Sequence, residues 1–141
     1  MKAKQIMTRQ VVTVRKDYTV GRLIRILKDN RITGAPVVDA KGKLIGIVSV
    51  KDLVSAVADL VRVHLSIEEI NGMRGRYNWV EGFMTKNVIT VEAEDEVKDI
   101  FKLMVEKHIH RVPVMENGVL VGIISTSDAH KAIIKYIEEL S

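Results

Sequence analysis

Two stretches of the sequence carry the same serine and aspartate at the same spacing. Residues 46–52 read G-I-V-S-V-K-D and residues 122–128 read G-I-I-S-T-S-D, so that Ser49 and Asp52 recur as Ser125 and Asp128. An ionised carboxylate accepts hydrogen bonds from hydroxyl groups, and such charge-assisted bonds are stronger than bonds between neutral groups. Serine and aspartate are also preferred at the N-terminus of a helix, where they cap free backbone N–H groups. The motif is therefore one wall of a binding site, a helix cap, or both.

A second group of polar residues occurs in one half of the chain only. Residues 107–113 read K-H-I-H-R-V-P, whereas the matching residues 30–36 read N-R-I-T-G-A-P. Arg111 suits phosphate through its fixed fork of donors, and His110 gains a positive charge in mildly acidic buffer. The alternative is a solvated basic edge. No metal site is predicted here, because His108 and His110 lack a third ligand.

The elements that position these residues belong to an internal sequence repeat. Residues 7–39 align with 84–116 and residues 42–53 align with 118–129, with 15 identities in 45 positions. Each copy predicts a strand, a helix, two strands joined by a Gly-containing turn, and a second helix. The first strands are predicted at 11–14 and 88–91, and the second helices at about 52–64 and 128–139. The near-continuous apolar character of the paired strands predicts that both of their faces are covered.

The predicted fold class is α/β (α+β), with two β-α-β-β-α repeats packed through their sheets about a pseudo-two-fold axis. A unit of about 55 residues buries too little surface to be stable alone, and symmetry would place two equivalent clefts at the join. The predicted boundaries are residues 1–65 for the first repeat, 66–82 for an inserted linker and 83–141 for the second repeat. Trp79 and Tyr77 are expected to pack the insert onto the core.

Composition excludes several classes of protein. The chain has 141 residues, of which 47% are hydrophobic and 28% charged, a profile typical of a globular protein. No apolar run approaches the roughly 20 residues of a membrane span, the first residues form no apolar stretch of signal-peptide length, and the sequence has no cysteine. A cytoplasmic location is therefore expected. The sequence lacks the phosphate-binding loop, the dinucleotide-binding fingerprint and the nucleophile elbow, so an enzyme is not predicted.

The element order and the doubled motif resemble the CBS domain, named after cystathionine β-synthase, over residues 6–64 and 83–139. Two such domains in tandem resemble a CBS-domain pair. The resemblance implies a regulatory module that binds AMP, ADP, ATP or S-adenosylmethionine as a ligand between the repeats, with no further cofactor. It implies that Asp52 and Asp128 receive ribose hydroxyls and that Ser49 and Ser125 lie near ribose or phosphate.

Further site residues follow from the same resemblance. The strands are expected to supply apolar surface for adenine, through Ile47, Val48, Ile123 and Ile124, with Val11 and Val88 as further candidates. His110 and Arg111 would contact the phosphate of a ligand whose ribose is held by Asp52. Thr33 would face the other cleft, so phosphorylated ligands are expected to prefer the cleft of Asp52.

Two other functions stay open at this stage. A nucleic-acid-binding module would use the basic surplus of 22 basic over 18 acidic residues, although no block of like charges supports it. A structural dimerisation unit would leave both clefts empty. A homodimer is expected because the second helices carry apolar residues beyond one face: Val54, Val57, Val61 and Leu65 in the first copy, and Ile133, Ile134 and Ile137 in the second. An effector protein would read the ligand state.

Overall fold

The structure is a computed structural model that describes residues 1–62 and 78–140. Its helices are α1 (Ala3–Ile6), α2 (Val20–Asp29), α3 (Val50–Arg62), α4 (Val97–Glu106) and α5 (Thr126–Leu140). Its strands are β1 (Val14–Arg15), β2 (Gly34–Val38), β3 (Leu44–Ser49), β4 (Val91–Glu92), β5 (Arg111–Glu116) and β6 (Val119–Ser125). A short 3₁₀ turn covers Val80–Gly82.

The chain divides into two compact units. The continuous unit consists of residues 12–88, and the split unit consists of residues 1–11 together with 89–141. Each unit holds a three-stranded sheet, β1-β2-β3 or β4-β5-β6, in which the first strand is parallel to the second and the second is antiparallel to the third. The predicted mixed α+β fold is confirmed. The predicted repeats follow the duplication of the sequence, whereas these units follow contacts, so that residues 1–11 pack with the second copy.

The strands are shorter and less evenly covered than the sequence predicts. β1 and β4 have two residues each, because only Val14 and Arg15, or Val91 and Glu92, pair with the neighbouring strand. The five residues of β2 are all buried, as the apolar run predicts. β3 and β6 instead alternate towards their ends, with every second residue partly exposed. The prediction of two covered faces is therefore correct for β2 and wrong for β3 and β6.

The N-terminal segment completes the split unit. Ala3 and Met7 are buried in its core, and the amide nitrogens of Ala3 and Lys4 donate to the carbonyl oxygens of Asp95 (2.9 Å) and Ala93 (3.0 Å). Ion pairs reinforce this contact: Lys2 Nζ lies 2.8 Å from Glu96 Oε1, and Lys4 Nζ lies 2.5 Å from Glu94 Oε1. The hydrogen bond from Lys2 and its charge lower the pKa of Glu96, and Lys4 lowers the pKa of Glu94 in the same way.

Residues 78–85 have the matching position in the continuous unit. The amide of Val80 donates to the carbonyl of Tyr18 at 2.9 Å, and the Val80 side chain is fully buried. Trp79 is 42% exposed, so the predicted packing of this tryptophan onto the core is wrong and Val80 takes that place. Tyr77 lies outside the described residues.

Candidate functional site

Ser49 and Asp52 form a reciprocal cap at the start of α3. The Ser49 hydroxyl oxygen accepts from the Asp52 amide at 3.3 Å, while Asp52 Oδ2 accepts from the Ser49 amide (2.8 Å) and the Ser49 hydroxyl (3.1 Å). This is a capping box with aspartate at its third helical position. Because serine is the cap, α3 begins at Val50, two residues before the predicted start. The box fixes the orientation of the Asp52 carboxylate and uses only one of its two oxygens, Oδ2.

Ser125 and Asp128 form the same box at the start of α5. Asp128 Oδ2 accepts from the Ser125 amide (2.8 Å) and hydroxyl (2.9 Å), and the Asp128 amide donates to the Ser125 hydroxyl oxygen at 3.3 Å. The capping half of the sequence interpretation is therefore confirmed in both copies. Each cap uses Oδ2 alone, which leaves Oδ1 of each aspartate for another partner.

The two Oδ1 atoms differ in their surroundings. Thr8 Oγ1 donates to Asp128 Oδ1 at 2.9 Å. No hydrogen bond reaches Asp52 Oδ1 from the backbone of residues 1–62 and 78–140 or from the side chains of residues 1–58 and 78–140. Sequence reasoning did not single out Thr8 as a site residue, because it lies 120 positions from Asp128. The signal that could have found it is the duplication, in which Met7-Thr8 recurs as Met84-Thr85.

The apolar residues of the motif divide between the two faces of each sheet. Val48 and Ile124 are fully buried in the cores of their units, with 0% of their surface exposed. Ile47 and Ile123 point to the opposite face and are partly exposed, as are Ser49 and Ser125 two residues later. A ligand on the motif strands would therefore meet the side chains of Ile47 and Ile123, and only the backbone of Val48 and Ile124.

The motif glycines make room for methionines of the same unit. A Cβ atom on Gly46 would lie 2.9 Å from Met84 Sδ and 3.0 Å from the carbonyl oxygen of Thr85. A Cβ atom on Gly122 would lie 2.8 Å from Met7 Cγ. Met84 and Met7 occupy the space beside these two glycines, so a side chain at either position would have to displace a methionine.

The remaining predicted residues are distributed over both units. The Thr33 carbonyl accepts from the Val50 amide at 2.8 Å, and the exposed His110 has the matching bond, its carbonyl accepting from the Thr126 amide at 2.9 Å. Arg111 is partly buried and lies across the sheet from Ser125. Val88 lies with Asp52 in the continuous unit and Val11 with Asp128 in the split unit, both partly buried. The assignment of His110 and Arg111 to the ligand of Asp52 requires a contact between units and stays a prediction.

A separate apolar groove of about 450 Å³ lies in the split unit. Phe101 of α4 and Ile133, Tyr136 and Ile137 of α5 form most of its apolar lining. Neither Ser125 nor Asp128 lines it. In the part of the chain that the structure describes, no three His, Cys, Asp or Glu residues group as metal ligands, and no helix has the length and apolarity to cross a membrane.

Comparison with known proteins finds a matching family and several similar proteins. The family model described as CBS domain matches residues 3–59 and 80–135. Protein MJ1426 of Methanocaldococcus jannaschii is 32% identical, over 95% of this chain and 92% of its own length. Several other curated relatives are longer, and the chain spans 23% of the inosine-5′-monophosphate dehydrogenase of the same organism.

Solved structures share the fold along nearly the whole chain. The CBS domain pair of protein MJ0100, in complex with 5′-methylthioadenosine and S-adenosyl-L-methionine, has a TM-score of 0.79 and 25% identity, covering 96% of this chain and 98% of that one. CBSX2 in complex with AMP has the same TM-score and identity, covering 96% and 97%.

Proposed function

The chain belongs to the CBS domain family, and from this premise we propose that it is a ligand-sensing regulatory module that binds an adenosine-containing ligand. The observation that carries the proposal is the Asp52 carboxylate, which the capping box orients through Oδ2 while Oδ1 has no hydrogen bond to the described residues. The complexes of CBSX2 with AMP and of the MJ0100 pair with S-adenosyl-L-methionine and 5′-methylthioadenosine support this class of ligand.

The chemistry of the site suits ribose next to an apolar ring. Oδ1 of a carboxylate can accept from two hydroxyl groups, and the vicinal 2′- and 3′-hydroxyls of ribose supply such a pair. Ile47 precedes Ser49 by two residues on the same face of β3 and would provide apolar surface for adenine. The N-terminus of α3 carries the positive end of the helix dipole, which favours a phosphate.

We assign the phosphate-binding role to His110 and Arg111. At the matching positions the first copy has Thr33 and Gly34, so only the second copy supplies charge here. The resemblance to nucleotide-sensing CBS pairs supports a crossed arrangement, in which these residues serve the ligand whose ribose is held by Asp52. Ser49 would lie near the ribose or phosphate of that ligand, and Ser125 and Asp128 would form the second site.

The proposed role is regulatory and not catalytic. The ligand state would be read by an effector protein in the cytoplasm, and the chain would act as a homodimer. Exposed apolar residues on α3 and α5, including Val57 and Ile133, support an association of this kind.

Isothermal titration calorimetry with AMP, ADP, ATP and S-adenosylmethionine tests the proposal. At least one ligand should give saturable heat, and Asp52→Ala should weaken it by about tenfold or more, because hydrogen bonds to a charged group are lost. Asp29→Ala is the matched control, since this exposed carboxylate on α2 lies outside the motif. Silence from all four ligands at millimolar concentration would favour the structural dimerisation unit. Binding to nucleic acid that depends steeply on salt and ignores Asp52→Ala would favour the other alternative.

A further inference from the structure

The two motif aspartates have different numbers of free acceptor positions. A carboxylate offers about four lone-pair positions, two on each oxygen. In both copies Oδ2 accepts from the amide and the hydroxyl of the motif serine and is fully used. Oδ1 of Asp128 also accepts from Thr8 at 2.9 Å. The Asp128 carboxylate therefore has one acceptor position left on Oδ1. The Asp52 carboxylate has two on Oδ1 that no described residue occupies.

The threonine that makes this difference is held firmly by its backbone. The Thr8 amide donates to the Ile123 carbonyl at 2.8 Å, and the Ile123 amide donates to the Thr8 carbonyl at 3.0 Å. Thr85 has the same two bonds with Ile47, at 2.8 and 3.0 Å. Both threonines therefore lie at equivalent places beside their motif strands. The side-chain bonding differs: within the described residues only the Thr8 hydroxyl is bonded to its aspartate.

We propose that Thr8 is a specificity-determining residue of the Asp128 site, an inference that rests on the proposed adenosine-binding function. A vicinal diol has two hydroxyl donors, and the Asp128 carboxylate has one position left for them. The Asp52 carboxylate receives both ribose hydroxyls, so its site distinguishes a ribonucleoside from a 2′-deoxynucleoside. The Asp128 site receives one hydroxyl and does not distinguish the two. Thr8 thus makes the sugar selectivity of the two sites differ: the Asp52 site selects ribose, and the Asp128 site accepts ribose and 2′-deoxyribose alike.

Nucleoside binding in variants that isolate each site tests this inference. Adenosine and 2′-deoxyadenosine are the probes, since they carry no phosphate and differ by one hydroxyl. In Asp52→Ala, where only the Asp128 site is intact, the two dissociation constants should be nearly equal. Adding Thr8→Val, which keeps the side-chain shape and removes the hydroxyl, should make adenosine bind about tenfold more tightly than 2′-deoxyadenosine.

Thr85→Val is the matched control for the site of Asp52. In Asp128→Ala, adenosine should bind about tenfold more tightly than 2′-deoxyadenosine, and Thr85→Val should leave that ratio unchanged. The proposal is overturned if Asp52→Ala alone already shows the tenfold preference, or if Thr8→Val leaves the ratio near one. It is equally overturned if Thr8→Val weakens both nucleosides, because the hydroxyl would then be a ligand contact.

A ligand-free measurement separates this proposal from the proposed function. Free energies of unfolding are measured in urea for the wild type, Thr8→Val, Asp128→Ala and the double variant, which together form a double-mutant cycle. A second cycle uses Thr85→Val with Asp52→Ala. The Thr8–Asp128 cycle should be non-additive and the Thr85–Asp52 cycle additive. Additivity in both would overturn the role of Thr8 whether or not nucleosides bind. Absence of nucleoside binding with a non-additive first cycle would contradict the adenosine-binding function while upholding the Thr8–Asp128 bond.

Discussion

At the scale of single residues, the copies differ most in charge just before the proline that both copies share. Arg111 begins β5, lies across from Ser125 and is partly buried, whereas Gly34 is its counterpart across from Ser49. A partly buried guanidinium keeps its charge and its fork of donors at any working pH. This difference between the copies is what supports a preference of phosphorylated ligands for one site.

Arg111→Ala should therefore weaken AMP or ATP without affecting adenosine. The expected loss is about 1.5 to 3 kcal/mol, the range for hydrogen bonds to charged groups. Calorimetry with AMP and adenosine measures both effects, and Arg25→Ala on the exposed face of α2 is the control for loss of one positive charge. An equal loss for adenosine would indicate a structural role. Loss of nucleotide binding in Asp128→Ala but not in Asp52→Ala would reverse the assignment of the two sites.

At the scale of elements, each motif strand is held by a methionine from a segment distant in sequence. Met84 lies over Gly46 and Met7 over Gly122, and the adjacent threonine forms two backbone hydrogen bonds with the following isoleucine of the strand. The glycine at this place is needed because a side chain would displace the methionine.

Gly46→Ala should destabilise the protein, whereas Gly21→Ala should not. The new methyl group at position 46 would meet Met84 Sδ at 2.9 Å and the Thr85 carbonyl at 3.0 Å, and overpacking of this kind costs about 1 to 3 kcal/mol. Gly21 lies in α2, where a methyl group would meet nothing within 4 Å, so alanine there should stabilise by up to about 1 kcal/mol. Urea unfolding of both variants measures the difference, and an unchanged midpoint for Gly46→Ala would show that Met84 moves aside at little cost.

The elements also show what local sequence pattern can predict. Thr19 is the N-cap of α2, and its side chain accepts from the Arg22 amide at 3.1 Å; such a cap depends on residues only three positions apart, so a local pattern can predict it. The bond between Thr8 and Asp128 depends on how residues 1–11 pack with the second copy, and no periodicity reports that. Likewise β1 begins at Val14 and not at residue 11, since strand length is decided by the partner strand.

At the scale of the whole chain, the basic surplus is concentrated in one unit. Residues 12–88 contain 13 basic and 8 acidic residues, a net charge of +5, whereas residues 1–11 and 89–141 contain 9 and 10, a net charge of −1. A positive field raises the local concentration of anions and their rate of association. The positive charge of the unit that contains Asp52 would attract an anionic nucleotide, whereas the phosphate contacts proposed for His110 and Arg111 would come from the other unit, whose net charge is −1.

The exposed apolar surface of the second helices is the other property of the whole chain. Val54 and Val57 of α3 are 61% and 58% exposed, and Ile133 and Ile137 of α5 are 46% and 58% exposed. In the split unit, Ile133 and Ile137 of α5 also line the groove between α4 and α5. Two of the predicted interface residues, Val61 and Leu65, are not among the described side chains. Exposed apolar patches on the surface of a protein typically mark an interface.

The chain should therefore form a homodimer through these helices. Light scattering at micromolar concentration should give a mass near twice the 15.9 kDa of one chain. Placing a charge in the apolar surface, as in Val57→Lys combined with Ile133→Lys, should shift the mass towards a single chain, because burying an unpaired ammonium is costly. Val119→Lys is the control, since Val119 is 60% exposed at the start of β6 and lies outside this surface. A wild-type mass near 15.9 kDa would contradict the homodimer, and an unchanged dimer in the double variant would place the interface elsewhere.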